Sequence, residues 1–132
     1  IVRNAAQALS AGTPDPQIRL ETRVARGITV AKKRHRLALA LSVTDNGPGV
    51  PEAIREKIFY PLVSGRDGGS GLGLTIAQTF VAQHGGTIDC ESRRGRTVFT
   101  ILLPIDPPRG GHWNEERFRC MPTTTNRRGA AT

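Results

Sequence analysis

The stretch from Asp45 to Leu74 opens with Asp45-Asn46-Gly47-Pro48-Gly49 and closes with Gly68-Gly69-Ser70-Gly71-Leu72-Gly73-Leu74. Glycine permits both unusual dihedrals and close backbone approach, so each turn marks a place where main chain can lie against a ligand. The first turn follows an alternating apolar run, and the second leads straight into a helical pattern. At a helix N-terminus the free N–H groups and the helix dipole favour a phosphate. Together the two turns point to a nucleotide site.

Upstream of that stretch, Arg36 to Thr44 alternates with Leu37, Leu39, Leu41 and Val43 inward, a strand that delivers Asp45 at its C-terminal end. Residues 17–25 alternate as well, with Ile18, Leu20, Thr22 and Val24 on one side, which predicts a half-buried strand. Between the two lies Lys32-Lys33-Arg34-His35-Arg36, expected to be a solvated hairpin tip. Ile1, Val2, Ala5 and Leu9 fall on one face of a helix over residues 1–10, which ends before Gly12 and Pro14. No cap precedes Ile1, so the chain reads as starting within a helix, and a fragment or truncated product is expected.

Downstream, Pro51 to Ile58 predicts a short helix with proline at its first position. Residues 59–72 show no periodicity and read as a mobile loop. Leu74 to His84 is a helix with the stripe Ile76, Ala77, Phe80 and Val81, stopped by Gly85-Gly86. Two strands follow, around Thr87 to Ser92 and Thr97 to Leu103, joined by a turn at Arg93 to Arg96, and Pro104 ends the second. From Asp106 the periodicity is lost, and 106–132 is expected to be a disordered tail. The expected fold class is α+β: a two-layer α/β sandwich over residues 1–105, with a mixed, mainly antiparallel sheet and helices on one face.

A chain of 132 residues fits one domain. It has no apolar run long enough to span a membrane and no signal-peptide pattern at its N-terminus. Cys90 and Cys120 are far apart without a CxxC pair, which argues against a disulfide or metal framework and for a reducing cytoplasm. A net charge of +8 raises nucleic-acid binding as a class. The densest basic cluster carries no interleaved aromatics, however, so no direct nucleic-acid contact is expected.

The order Asn4-Ala5, Asp45-x-Gly47-x-Gly49, Phe59-Tyr60-Pro61-Leu62 and Gly71-Leu72-Gly73-Leu74 resembles the N, G1, F and G2 boxes of sensor histidine kinases. Those kinases share the Bergerat ATP-binding fold with gyrase, mismatch-repair and heat-shock chaperone ATPases. Gly95-x-Thr97-x-Phe99 and the strand ending at Pro104 extend the resemblance over residues 1–105. Phe59-Tyr60-Pro61-Leu62-Val63-Ser64-Gly65-Arg66 and Arg3-Asn4-Ala5-Ala6-Gln7-Ala8 resemble the nitrogen-regulation, NtrB-like branch. Many sensor kinases carry Lys where Gln7 stands.

On the residues alone, Asp45 reads equally as an Asx-turn acceptor and as a base contact. The resemblance implies that Asp45 accepts a hydrogen bond from the adenine amino group, that Thr97 assists it, and that Gly47 and Gly49 let the base approach backbone. It implies that Gly69, Ser70, Gly71, Leu72 and Gly73 wrap the phosphates under a lid from Leu62 to Gly69, with Arg66 as a phosphate contact. Asn4 is implied as the Mg²⁺ ligand, and ATP with Mg²⁺ as the bound pair. None of His35, His84 and His112 begins a His-Glu-x-x-Asn-Pro-like motif, so the phosphoacceptor is expected on a separate histidine-bearing dimerisation domain. The implied partners of the full-length homodimer are an NtrC-like response regulator and a PII-type signal protein. An ATPase of the same fold, hydrolysing ATP to drive a conformational change, is the alternative. A basic interaction or nucleic-acid-binding module comes third.

Overall fold

The computed structural model describes residues 1–9, 12–65 and 69–105. The tail expected over 106–132 lies outside the described residues, as does Arg66.

Alternating apolar residues on either side of a tight loop make a long hairpin of β1 (Ile18–Val30) and β2 (Lys33–Asp45). Its register runs from Ile18 opposite Asp45 to Val30 opposite Lys33. The loop is only Ala31-Lys32, both at positive φ (49° and 63°), the left-handed pair whose twist matches the flanking strands. That tight loop corrects one expectation: Lys33, Arg34, His35 and Arg36 belong to β2 rather than to a hairpin tip. Only Lys32 of the basic cluster turns the chain.

Two further strands, β3 (Thr87–Arg93) and β4 (Arg96–Pro104), complete a sheet of order β1-β2-β4-β3. Every pairing among the described residues is antiparallel. Val43 faces Phe99 and Phe99 faces Cys90, while Leu41 faces Ile101 and Ile101 faces Ile88. Because side chains alternate across the pleat, these rows share one face of the sheet. On that face Ile88 and Phe99 bury with Ile58, and Ile1, Val50, Ile54, Phe59, Leu74, Ala77 and Val81 pack around them. The ring of Phe59 meets Phe99 edge-on at 6.4 Å.

Two helices contribute to this layer, α1 (Val2–Leu9) and α2 (Gly73–Gln83). Ala5 and Leu9 bury on α1, as their spacing predicts. On α2 the packed residues are Leu74, Ala77 and Val81. Ile76 and Phe80, expected in the inward stripe, are 61% and 63% exposed. The apolar arc of α2 is wider than the surface it rests on. Phe80 instead stacks on His84, whose Nδ1 lies 2.7 Å from the Phe80 carbonyl. The helix ends as its glycines predict: Gly86 N–H reaches Val81 O and Gly85 N–H reaches Ala82 O, with Gly85 left-handed.

The edge strand β1 also differs from expectation. Leu20 and Val24 are more than half exposed, because the cluster of Ile58, Ile88 and Phe99 draws its buried sheet residues from β3 and β4, away from β1. The segment after Pro51 is a 3-10 helix, Glu52–Lys57, with Pro51 at its N-cap rather than inside it.

Candidate nucleotide site

At the end of β2, Asp45 lies opposite Thr97 of β4, and Thr97 lies opposite Ser92 of β3. These three polar residues form one row across the sheet. Asp45 and Thr97 are nearly inaccessible, at 4% and 5% exposure. Asp45 Oδ1 accepts the Gly47 N–H at 2.9 Å, so the Asx-turn is formed. A carboxylate has about four acceptor positions, so this internal bond orients Asp45 without exhausting it. Turn chemistry and ligand chemistry are compatible in one side chain.

The loop after Asp45 is held on two sides. A Cβ on Gly47 would stand 2.9 Å from Asp45 Oδ1, 3.5 Å from Ala8 Cβ and 3.6 Å from Leu9 Cδ2, so the loop sits against α1. On the other side, Gly95 N–H donates to Gly47 O at 3.0 Å, and Val50 N–H donates to Ser92 Oγ at 2.8 Å. Gly49 has φ +87°, and a Cβ there would lie 2.8 Å from the Arg93 carbonyl oxygen. Asn46 serves the fold: its amide donates to Asp15 O and its oxygen accepts Gln17 N–H, both at 2.8 Å.

The second glycine turn is built around Gly71, at φ +65°, whose carbonyl accepts the Leu62 N–H at 3.0 Å. Leu62 is itself left-handed at φ +64°, an uncommon conformation for a branched residue. Gly73 opens α2, and a Cβ there would meet nothing within 4 Å. Sterics inside the fold therefore give no reason for glycine at 73. Leu72 provides no side-chain cap to α2, and the first turn holds no acidic residue. The electropositive end of the helix thus lacks an anionic partner of its own in that turn. Ser70 Oγ makes only a long contact to Leu72 N–H, at 3.4 Å, and Gly69, Ser70 and Leu72 are exposed. Thr75 Oγ1 donates to Phe59 O at 3.0 Å, tying α2 to the Phe59-Tyr60-Pro61-Leu62 segment.

One apolar cluster draws these pieces together, since Ile1 of the first segment, Val50, Phe59 and Leu74 all pack against it. Asn4 is half-buried on α1, one turn ahead of Ala8, which faces Gly47. Among the described residues no group of three or more His, Cys, Asp or Glu could hold a metal ion. Cys90 lies on the same face as Phe99, and burial, with the Asp45 charge as the next cause, pushes its thiol up to about 11. Ser92 was not singled out by its sequence context, and only the strand pairing places it in the row with Thr97 and Asp45.

Among the described residues, a four-stranded antiparallel sheet packed with helices, a buried Asp-Thr pair and two glycine turns are the features of a nucleotide-binding α+β domain. Residues 1–107 match the family described as histidine kinase-, DNA gyrase B- and HSP90-like ATPases. The chain belongs to that family, and it is similar to the ATP-binding catalytic domains of sensor histidine kinases. The sensory histidine kinase/phosphatase NtrB of Vibrio alginolyticus is 50% identical over 105 residues, covering 80% of this chain and 30% of the relative. NtrB of Rhizobium leguminosarum bv. phaseoli is 41% identical over 108 residues, covering 79% of this chain and 28% of the relative. The chain thus spans about a third of the length of these relatives. Among solved structures, the nucleotide-free catalytic domain of histidine kinase ThkA aligns with TM-score 0.56 and 30% identity, covering 76% of this chain and 61% of that one. The mycobacterial sensor histidine kinase MprB aligns with TM-score 0.57 and 28% identity, covering 81% and 66%. No helix among the described residues is long and apolar enough to cross a membrane.

Proposed function

We propose that this domain binds Mg·ATP between its two glycine turns and presents the γ-phosphate to a histidine on a separate dimerisation domain. The observation that carries the proposal is the buried Asp45–Thr97 pair, framed by a loop that α1 and the β3–β4 hairpin hold from both sides. Asp45 accepts from the adenine amino group, an interaction that the carbonyl oxygen of guanine cannot supply. Gly47 and Gly49 leave backbone open to the face of the base. N–H groups at the start of α2, with Gly69, Ser70, Gly71, Leu72 and Gly73, take the phosphates. Arg66 adds a cation where Gln7 supplies none. Asn4 contributes one oxygen to Mg²⁺, which neutralises phosphate charge when bound.

Phosphoryl transfer asks little covalent work of a protein, so positioning and electrostatics carry the catalysis. The whole protein then acts as an NtrB-like homodimer in the cytoplasm. It phosphorylates its own histidine, passes the phosphate to an NtrC-like response regulator, and answers to a PII-type signal protein. The 50% identity to NtrB relatives supports this branch over an ATPase of the same fold. The test mixes this domain with a separately purified NtrB-type dimerisation domain and γ-labelled ATP. Label on the histidine of that domain supports the proposal. Release of free phosphate, with no labelled histidine, would instead identify an ATPase.

A further inference from the structure

Resting on the ATP site proposed above, we propose that Ser92 is a positioning residue for base recognition, acting through the hydroxyl of Thr97. Ser92 Oγ lies 3.0 Å from Thr97 Oγ1 and accepts the Val50 N–H at 2.8 Å. It therefore touches both halves of the base-recognition frame, the Asp45–Val50 loop and the Asp45–Thr97 pair. The proton count leaves Ser92 able to donate to Thr97. A serine hydroxyl has one proton and two lone pairs. One lone pair takes the Val50 N–H, and the bond to Thr97 Oγ1 can run in either direction; the orientation proposed is the one in which Ser92 donates.

With Ser92 donating, the Thr97 proton is released to point away from Ser92. Adenine presents an amino donor beside the ring acceptor N1. Asp45 has only acceptors to offer the amino group, so N1 needs a donor. The Thr97 hydroxyl, directly or through one water, supplies it only while Ser92 holds it in that orientation. Guanine carries a protonated N1 beside its carbonyl, so the same orientation meets it donor to donor. Ser92 thus helps select adenine without touching the base. The Val50 bond adds a second effect, since it pins the loop end that must stay clear of the base plane.

The experiment measures dissociation constants of the full chain for ATP and for 1-deaza-ATP, in which N1 is replaced by C–H. Wild type, Ser92→Ala, Ser92→Thr and Thr97→Val are compared, each with thermal unfolding recorded in parallel. Wild type is expected to prefer ATP by about tenfold, and Ser92→Ala to fall to the discrimination of Thr97→Val. Ser92→Thr, which keeps the hydroxyl, restores the preference. A merely structural role would weaken both nucleotides together and leave their ratio alone. If Ser92→Ala fails to fold, Ser92→Cys keeps the shape with a weak donor and carries the same expectation. Wild-type discrimination retained in a folded Ser92→Ala or Ser92→Cys overturns the proposal. A folded wild type that binds neither nucleotide overturns the ATP site itself, and Ser92's role with it.

Discussion

Gly71 and Gly73 sit two residues apart in one turn, and alanine should do opposite things at the two positions. At Gly71 the backbone has φ +65°, and a Cβ would stand 2.5 Å from Leu62 C and 2.7 Å from both Leu62 Cα and Val63 N. Those neighbours are main chain, already tied by the Leu62 N–H bond to Gly71 O, so they cannot swing aside. The left-handed conformation costs a residue with a Cβ about 1–2 kcal/mol. Overpacking adds about 1–3 kcal/mol, so Gly71→Ala should destabilise by roughly 2–5 kcal/mol. At Gly73 φ is ordinary and a Cβ meets nothing, so Gly73→Ala should be neutral or stabilise by about 0.4–1 kcal/mol through the unfolded chain. The new methyl would nonetheless stand where the proposed site has backbone N–H groups meet phosphate, and ATP affinity should fall at least about tenfold, near 1.4 kcal/mol. Urea unfolding gives the two stabilities and calorimetric titration gives the affinities. Gly73→Ala that keeps wild-type ATP affinity would refute a backbone phosphate contact at α2. Gly71→Ala that keeps wild-type stability would refute the close approach to Leu62.

Three other consequences are open to measurement. Phe99→Ala removes the ring at the centre of the shared cluster and should cost about 3–5 kcal/mol in urea unfolding; a loss below 1 kcal/mol would mean the cluster does not hold the site together. Replacing Ala31-Lys32 by Asn-Gly suits the two left-handed positions of the hairpin and should add about 1–2 kcal/mol, seen as a higher urea midpoint at unchanged slope. Burial raises the Cys90 thiol from 9.0 to about 11, so its thiolate is scarce near neutral pH. Alkylation at the Cys90 peptide should therefore be slow in the folded chain near pH 8, rise as pH approaches 11, and become fast on unfolding. Rapid labelling of folded Cys90 at pH 8 would contradict that burial.

Much of this was legible from residue order, and the gaps have a common cause. Period-2 alternation correctly grouped Leu37, Leu39, Leu41 and Val43 on one face, and it grouped Ile18, Leu20, Thr22 and Val24 as well. Alternation says which residues share a face, but not whether another layer covers it, and β1 lies at the edge away from the core cluster. The α2 stripe held for Ala77 and Val81 and failed for Ile76 and Phe80, which belong to an apolar arc broader than the sheet contact. The basic run was read as a tip because Ala31-Lys32 lacks the usual glycine or asparagine signal of a two-residue hairpin. The left-handed Gly49 and Gly71 and the Asx-turn at Asp45 were legible because each needs a particular backbone or side-chain chemistry, whereas Thr97 was reached through the family resemblance. Ser92 was not legible, because a serine on a strand has no local signature, and its significance comes from partners a hairpin away.

The central claim is that the row ending in Asp45 recognises adenine. The most direct measurement is binding of ATP and GTP, with and without Mg²⁺, to wild type and to Asp45→Asn, each shown to be folded by its thermal transition. Asn keeps the shape of Asp45 and can still accept the Gly47 N–H, but it puts an amide in place of a charged acceptor. The expected result is ATP-selective binding by wild type, strengthened by Mg²⁺, and weakened at least about tenfold in Asp45→Asn. Equal affinity of folded wild type and Asp45→Asn for ATP, or no preference for ATP over GTP, would contradict it.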